Sequence, residues 1–148
     1  FVFKKKKDEF SISTKQITVI FDKYDVKDGE TPNIVADKYY GNSQYHWVVV
    51  LLNNITNWYD WPLDTVAYSN YLIDKYGTNI EGTHHHEISQ TSGDTTIQLE
   101  VSSDTAGATA VTNREYEDRL QDEKRQIQLI DRTYLRLFVE EFKKIIKR

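Results

Sequence analysis

The chain has 148 residues, no cysteine and a formal net charge of −4. That length supports one ordinary domain, or a small core with appendages, and folding at this size buries roughly 70% of the unfolded surface. The missing cysteines exclude disulfides, thiolate metal sites and thiol nucleophiles, and the negative balance argues against nucleic acid as the main partner.

The opening FVFKKKKDEF sets four lysines before Asp8 and Glu9, and no long apolar stretch follows Phe10, so a secretory signal is not expected. No window approaches the roughly 20 apolar residues of a membrane span. Residues 1–16 read as a solvated arm, with a phosphate-binding patch as the alternative. Gln16–Val26 alternates, with Ile17, Val19 and Phe21 on one face, and predicts a strand. Asp25–Gly29 supplies a turn. Thr31 is placed to cap a helix and Pro32 to occupy its first position, where its missing N–H costs nothing. Gly41–Asn42–Ser43 breaks that helix.

A second helix is expected from Gln44 to about Leu52, where Trp47, Val48, Leu51 and Leu52 form a wide apolar stripe. Asn53 and Asn54 suit its end, since asparagine tolerates the left-handed conformation. Trp58–Pro62 is an aromatic loop. Asp64 or Thr65 can cap a third helix through Tyr76, with Gly77 just past its end. His84–Ile88 and Thr95–Val101 predict a hairpin closed by Ser92–Gly93–Asp94, and Ser102–Thr112, small and polar, predicts a mobile loop. Asn113 can cap a short helix, Arg125–Ile130 alternates like a strand, and Asp131 can cap a last helix. Its apolar residues Leu135, Phe138, Val139, Phe142 and Ile146 share one face.

Within this order, Tyr24, Val26, Gly29, Glu30, Thr31, Ile34, Ala36 and Tyr39, followed by Leu51–Ile55 (LLNNI), resemble a LysM module. That pattern runs Y-x-V-x-x-G-D-T-L-x-x-I-A-x-x-Y and then L-x-x-x-N-x-I. The resemblance implies a strand–helix–helix–strand core. Gly29 makes the turn, Thr31 caps the first helix, Ile34 and Ala36 pack inward, Asn53 closes the second helix, and the second strand follows near Ile55–Trp58. Pro32 departs from the usual leucine. The longer insert Tyr39-Tyr40-Gly41-Asn42…Tyr45-His46-Trp47 is similar to LysM-like modules of contractile phage tails.

With the block Asp122–Asp131 (DEKRQIQLID), the chain is similar over most of residues 17–147 to the LysM-like baseplate wedge subunit of T-even-like phages, the baseplate wedge protein 53 family. The resemblance implies an α+β fold: a LysM-like core (17–61), a connecting helix (62–77), a β-hairpin excursion and loop (78–112), and a C-terminal helix–strand–helix docking segment (113–148). It implies a non-enzymatic subunit of the virion tail, assembled in the host cytoplasm and present in several copies per ring. Its expected partners are other wedge proteins and hub or sheath-initiating proteins; cofactor, nucleic acid, membrane and small-molecule substrate are not expected. The rival from another class is a LysM that binds peptidoglycan or chitin.

Each candidate site residue has a plainer role beside the functional one. On a strand His84 and His86 share one face while His85 points away, which leaves no convergent ligand set for the four positions zinc prefers. Asp60 is a single carboxylate in an aromatic loop, and glycoside hydrolysis needs a spaced pair. No nucleophile elbow, phosphate loop or H-E-x-x-H motif is present. Trp58, Tyr59 and Trp61 either cover the module or anchor a neighbouring subunit. Leu135, Phe138, Phe142 and Ile146 either fill the chain's own core or dock on a partner, and the strand before them could pair with a partner's sheet edge. Gly29, Thr31, Gly41, Asn53 and Asn54 are the expected turn and cap residues.

Overall fold

The computed structural model describes residues 21–147, so the expected arm at 1–16, and Ile17 and Val19 of the expected first strand, lie outside the described residues. In chain order the elements are β1 (Phe21–Asp25), α1 (Pro32–Tyr40), α2 (His46–Leu52), α3 (Thr65–Tyr76), β2 (Thr83–Ser92), β3 (Thr95–Val101), β4 (Thr109–Thr112), α4 (Asn113–Arg125), β5 (Gln126–Ile130) and α5 (Arg132–Ile146). Among the described residues, single 3-10 turns also lie at Ser43–Tyr45 and Trp58–Asp60. The fold is α+β. The chain divides into two compact units, one running to Asp60 and resuming at Gln126, the other spanning Trp61–Arg125.

In the first unit the local signals work as chemistry dictates. The Thr31 hydroxyl accepts a hydrogen bond from the Ile34 N–H at 3.4 Å, and Pro32 opens α1. Gly41 ends α1 at φ 74°, a left-handed value that a Cβ would strain. The buried face of α1 is Val35 and Ala36, with Tyr39 and Tyr40 a turn later, whereas Ile34, expected to pack inward, is 40% exposed. The i, i+1, i+4, i+5 set starts one residue later than the motif suggests. Glu30 is buried and ties the turn together. Its carboxylate accepts from the Tyr24 hydroxyl (3.0 Å), the Lys27 N–H (2.8 Å) and Lys38 Nζ (2.7 Å).

The strand expected near Ile55–Trp58 is absent, and that stretch leads into a 3-10 turn. β1 pairs instead with β5, antiparallel, from Phe21 opposite Ile130 to Asp25 opposite Gln126. Ile127 and Leu129 alternate onto one buried face of β5. Burial of a side chain such as Leu129 stabilises by roughly 1.5–3 kcal/mol relative to exposure. Ile130 joins Val48, Leu135 and Phe138 in one core cluster, against which Phe21, Tyr40, Trp47, Leu51 and Val139 pack.

The free edge of β5 is closed by side chains. The Asn53 amide accepts from the Gln128 N–H at 2.8 Å and donates to the Gln128 carbonyl at 2.9 Å, while the Tyr40 hydroxyl accepts from the Ile130 N–H at 3.1 Å. The Gln128 N–H and carbonyl and the Ile130 N–H, which a partner's strand would need, are thus already taken. Asn53 itself stays at φ −96°, and Asn54 takes the left-handed turn at φ 54°.

In the second unit Asp64 caps α3, its carboxylate accepting from the Val66 and Ala67 N–H groups at 2.9 Å each. The three-stranded antiparallel sheet has the order β3-β2-β4. β4 corrects the expectation of a loop through Thr112: Val111 is buried and Thr109–Thr112 pairs with β2. Glu117 of α4 is buried with Lys75 Nζ at 2.6 Å and the Tyr76 hydroxyl at 2.8 Å.

Candidate docking surfaces

After α2 the chain turns through Thr56–Asp60. The Asp60 carboxylate accepts from the Thr56 N–H and hydroxyl at 2.8 Å each, and from the Asn57 N–H and Nδ2 at 3.0 Å each. Asn57 Oδ1 in turn accepts from the Tyr59 N–H at 2.8 Å. The donors of Thr56 and Asn57 hold the Asp60 carboxyl below the usual range, so it is an ionised anchor for the turn and is not poised as an acid. On this fixed backbone Trp58 is 64% and Tyr59 60% exposed, whereas Trp61 is buried. Two aromatics presented by an already ordered loop bind with little further loss of backbone entropy, and they are the side-chain types most enriched at binding hot spots.

The last helix resolves differently. Leu135 and Phe138 are buried in the first unit's own core. Phe142 is half-buried and stacks on Trp47, ring centroids 4.8 Å apart. The chain's own core thus takes up most of the apolar stripe, and of the expected docking residues in this helix Ile146 is exposed. The outward face carries Tyr134 and Leu137, which the spacing argument missed because neither belongs to the i, i+3, i+4 series of the core face.

In the second unit the hairpin β2–β3 has two unlike faces. Ser89–Gln98 (2.9 Å) and Thr91–Thr96 (3.0 Å) hydroxyl and amide pairs line one. Ile88, Ile97, Leu99 and Val101 line the other, with Ile97 49% and Leu99 40% exposed. The period-two spacing of Ile97, Leu99 and Val101 was visible in the sequence as strand signal, without a sign of which face stays open.

The histidines sit at the base of this sheet. A register shift between Thr83 and His85 turns His84 to the side of His85, contrary to simple alternation. The His84 ring stacks on Tyr116 of α4 (3.9 Å), and its Nδ1 lies 2.9 Å from that of His85. Glu87 is held bidentately by Arg119 at 2.7 and 2.8 Å, which lowers its carboxyl pKa. Among the described residues no cluster of three or more histidines and carboxylates is placed to hold a metal ion, and no helix is long and apolar enough to cross a membrane.

The arrangement offers ordered, exposed apolar side chains on a loop and a hairpin, which is chemistry for contact. Comparison with curated proteins returns no match. The sequence model of one family, described as base plate wedge protein 53, matches residues 2–104. That match covers more than half of the sequence, and the chain belongs to the base plate wedge protein 53 family.

Proposed function

We propose that this chain is a non-enzymatic part of a contractile tail's baseplate wedge, fastened to neighbouring wedge and hub proteins through Trp58 and Tyr59. The family gives the baseplate role. The observation that carries the contact is the Asp60-centred turn, whose hydrogen bonds fix the backbone on which Trp58 and Tyr59 stand exposed. The strand–helix–helix–strand order β1-α1-α2-β5 supports a LysM-like reading of the first unit, its closing strand delivered from far along the chain. Copies repeat around a ring assembled in the host cytoplasm, so several modest contacts reinforce one another through effective concentration.

The test is a Trp58→Ala/Tyr59→Ala double variant supplied to a phage lacking the gene. Loss of a hot-spot pair worth about 2 kcal/mol or more is expected to reduce incorporation into tails at least tenfold, with an unchanged circular dichroism spectrum. Normal infectious tails from the double variant would refute the assignment. Tight retention of the purified chain on cell-wall glycan, lost in the same variant, would favour saccharide binding instead.

A further inference from the structure

We infer that the open edge of β3 accepts an extended strand from a different subunit of the baseplate, one carrying neutral or basic residues; this rests on the baseplate reading above. The argument starts from hydrogen-bond parity. The two-residue turn Gly93–Asp94, with Gly93 at φ 59°, makes Ser92 and Thr95 a hydrogen-bonded pair. Alternation along the register then directs the N–H and C=O groups of Ile97, Leu99 and Val101 toward β2 and those of Thr96, Gln98 and Glu100 outward. β3 is the terminal strand of its sheet, so three donors and three acceptors form one continuous row.

Natural edges of this kind are blunted by lysine, proline or a bulge. β3 (TTIQLEV) has neither residue, and its register with β2 is uninterrupted. In the same molecule the β5 edge is closed by Asn53 and Tyr40. The β5 edge is sealed, and the β3 edge is left ready to pair. An added strand would also extend the apolar face of Ile88, Leu99 and Ile97, and alternate apolar residues on it would cover what is now exposed.

Charge selects the occupant. From Thr83 to Asn113 there is no lysine or arginine, while Asp94, Glu100 and Asp104 lie on or beside the hairpin. A second copy of β3 would bring the same acids to the contact. Wedges arrayed around an axis also meet through unlike surfaces, which does not suit isologous pairing of identical edges. A strand of another subunit, free of acids opposite Glu100, fits both conditions.

Gln98→Pro separates this from hairpin stability, because the N–H it removes points outward and is not used in the β2–β3 ladder. Gln98→Ala controls for the lost side-chain bond to Ser89. Tails assembled on a phage lacking the gene, supplied with wild type or either variant, are scored for incorporated chain. Hydrogen exchange of the 95–101 segment is compared between the free chain and wild-type tails. Expected are a tenfold or greater loss of incorporation for Gln98→Pro, near-normal incorporation of Gln98→Ala, and at least tenfold slower exchange in the tail. Wild-type incorporation of Gln98→Pro, or exchange as fast in tails as in the free chain, overturns the inference, and the second measurement holds even if the proline variant folds poorly. Dimerisation of the purified chain abolished by Gln98→Pro also overturns it, in favour of a second copy. Failure of the wild type to enter tails overturns the baseplate reading and this inference with it.

Discussion

Asn53→Ala should loosen the first unit selectively. The Asn53 side chain makes three hydrogen bonds: Nδ2 to the Val49 and Gln128 carbonyls at 2.9 Å each, and Oδ1 from the Gln128 N–H at 2.8 Å. Two of these join residues 75 apart in sequence and anchor β5 to the end of α2. Each is worth about 0.5–1.5 kcal/mol net. Gln128 is exposed, so water takes over part of the loss, and about 2 kcal/mol is expected. In native-state hydrogen exchange that corresponds to amides of β1 and β5 exchanging about 30-fold faster, at about 1.36 kcal/mol per tenfold. Amides of β2 and β3 in the other unit serve as the internal control. Asn53→Asp keeps the acceptor for Gln128 but turns a carboxylate toward two carbonyls, so it should cost at least as much as alanine. A change under threefold for Asn53→Ala, or a neutral aspartate, would refute the claim that this amide holds the strand.

Glu117→Ala should cost the second unit about 2 kcal/mol in chemical denaturation, less than a fully buried pair because Lys75 is half-exposed. Burial pushes the Glu117 carboxyl up, but Lys75 and Tyr76 outweigh it; at Glu30 burial is likewise outweighed by Lys38, the Lys27 N–H and Tyr24, and both groups titrate below the usual range. Their stabilisation is complete above the ordinary glutamate value of about 4.3 and is lost as pH falls through the lower folded values. Melting temperature should therefore be steady above about pH 5 and drop below it, with a shallower drop in a Glu30→Gln/Glu117→Gln variant; equal acid limbs would count against this. Gly41→Ala should cost about 1 kcal/mol by urea denaturation, all of it backbone strain, because a Cβ there would meet nothing within 4 Å. Gly41→Asn should cost less.

Local chemistry was readable in the sequence where a single residue type satisfies a local need. Thr31 with Pro32, Gly41, Asp64, Gly77 and the Ser92–Gly93–Asp94 turn all mark the boundaries they suggest. Long-range pairing was not readable. β1 and β5 each show alternation, but nothing in period-two spacing says that a strand ending at Asp25 joins one beginning at Gln126. The LysM pattern, whose second strand follows directly on its second helix, therefore points to Ile55–Trp58 where the partner is Gln126–Ile130. β4 leaves no signal in the sequence because Thr109–Thr112 has one large apolar residue, Val111, too few to show a period. At the surfaces, amphipathic spacing in α5 identified a face that must be covered without saying by what, and Val48, Ile130 and Trp47 supply the cover. The Trp58–Tyr59 display depends on the Asp60 hydrogen bonds, which arise from a turn geometry that composition does not encode.

The split of the first unit around Trp61–Arg125 governs the order in which a nascent chain can mature. At about 5–20 residues per second, a ribosome needs on the order of 5–20 s to travel from Asp25 to Gln126. Until it arrives, the first strand has no mate, although everything required by the intervening unit has already been translated. Premature termination anywhere before Ile130 would leave β1 and the helices after it with their sheet unfinished, so that only chains translated past Ile130 carry a paired first strand.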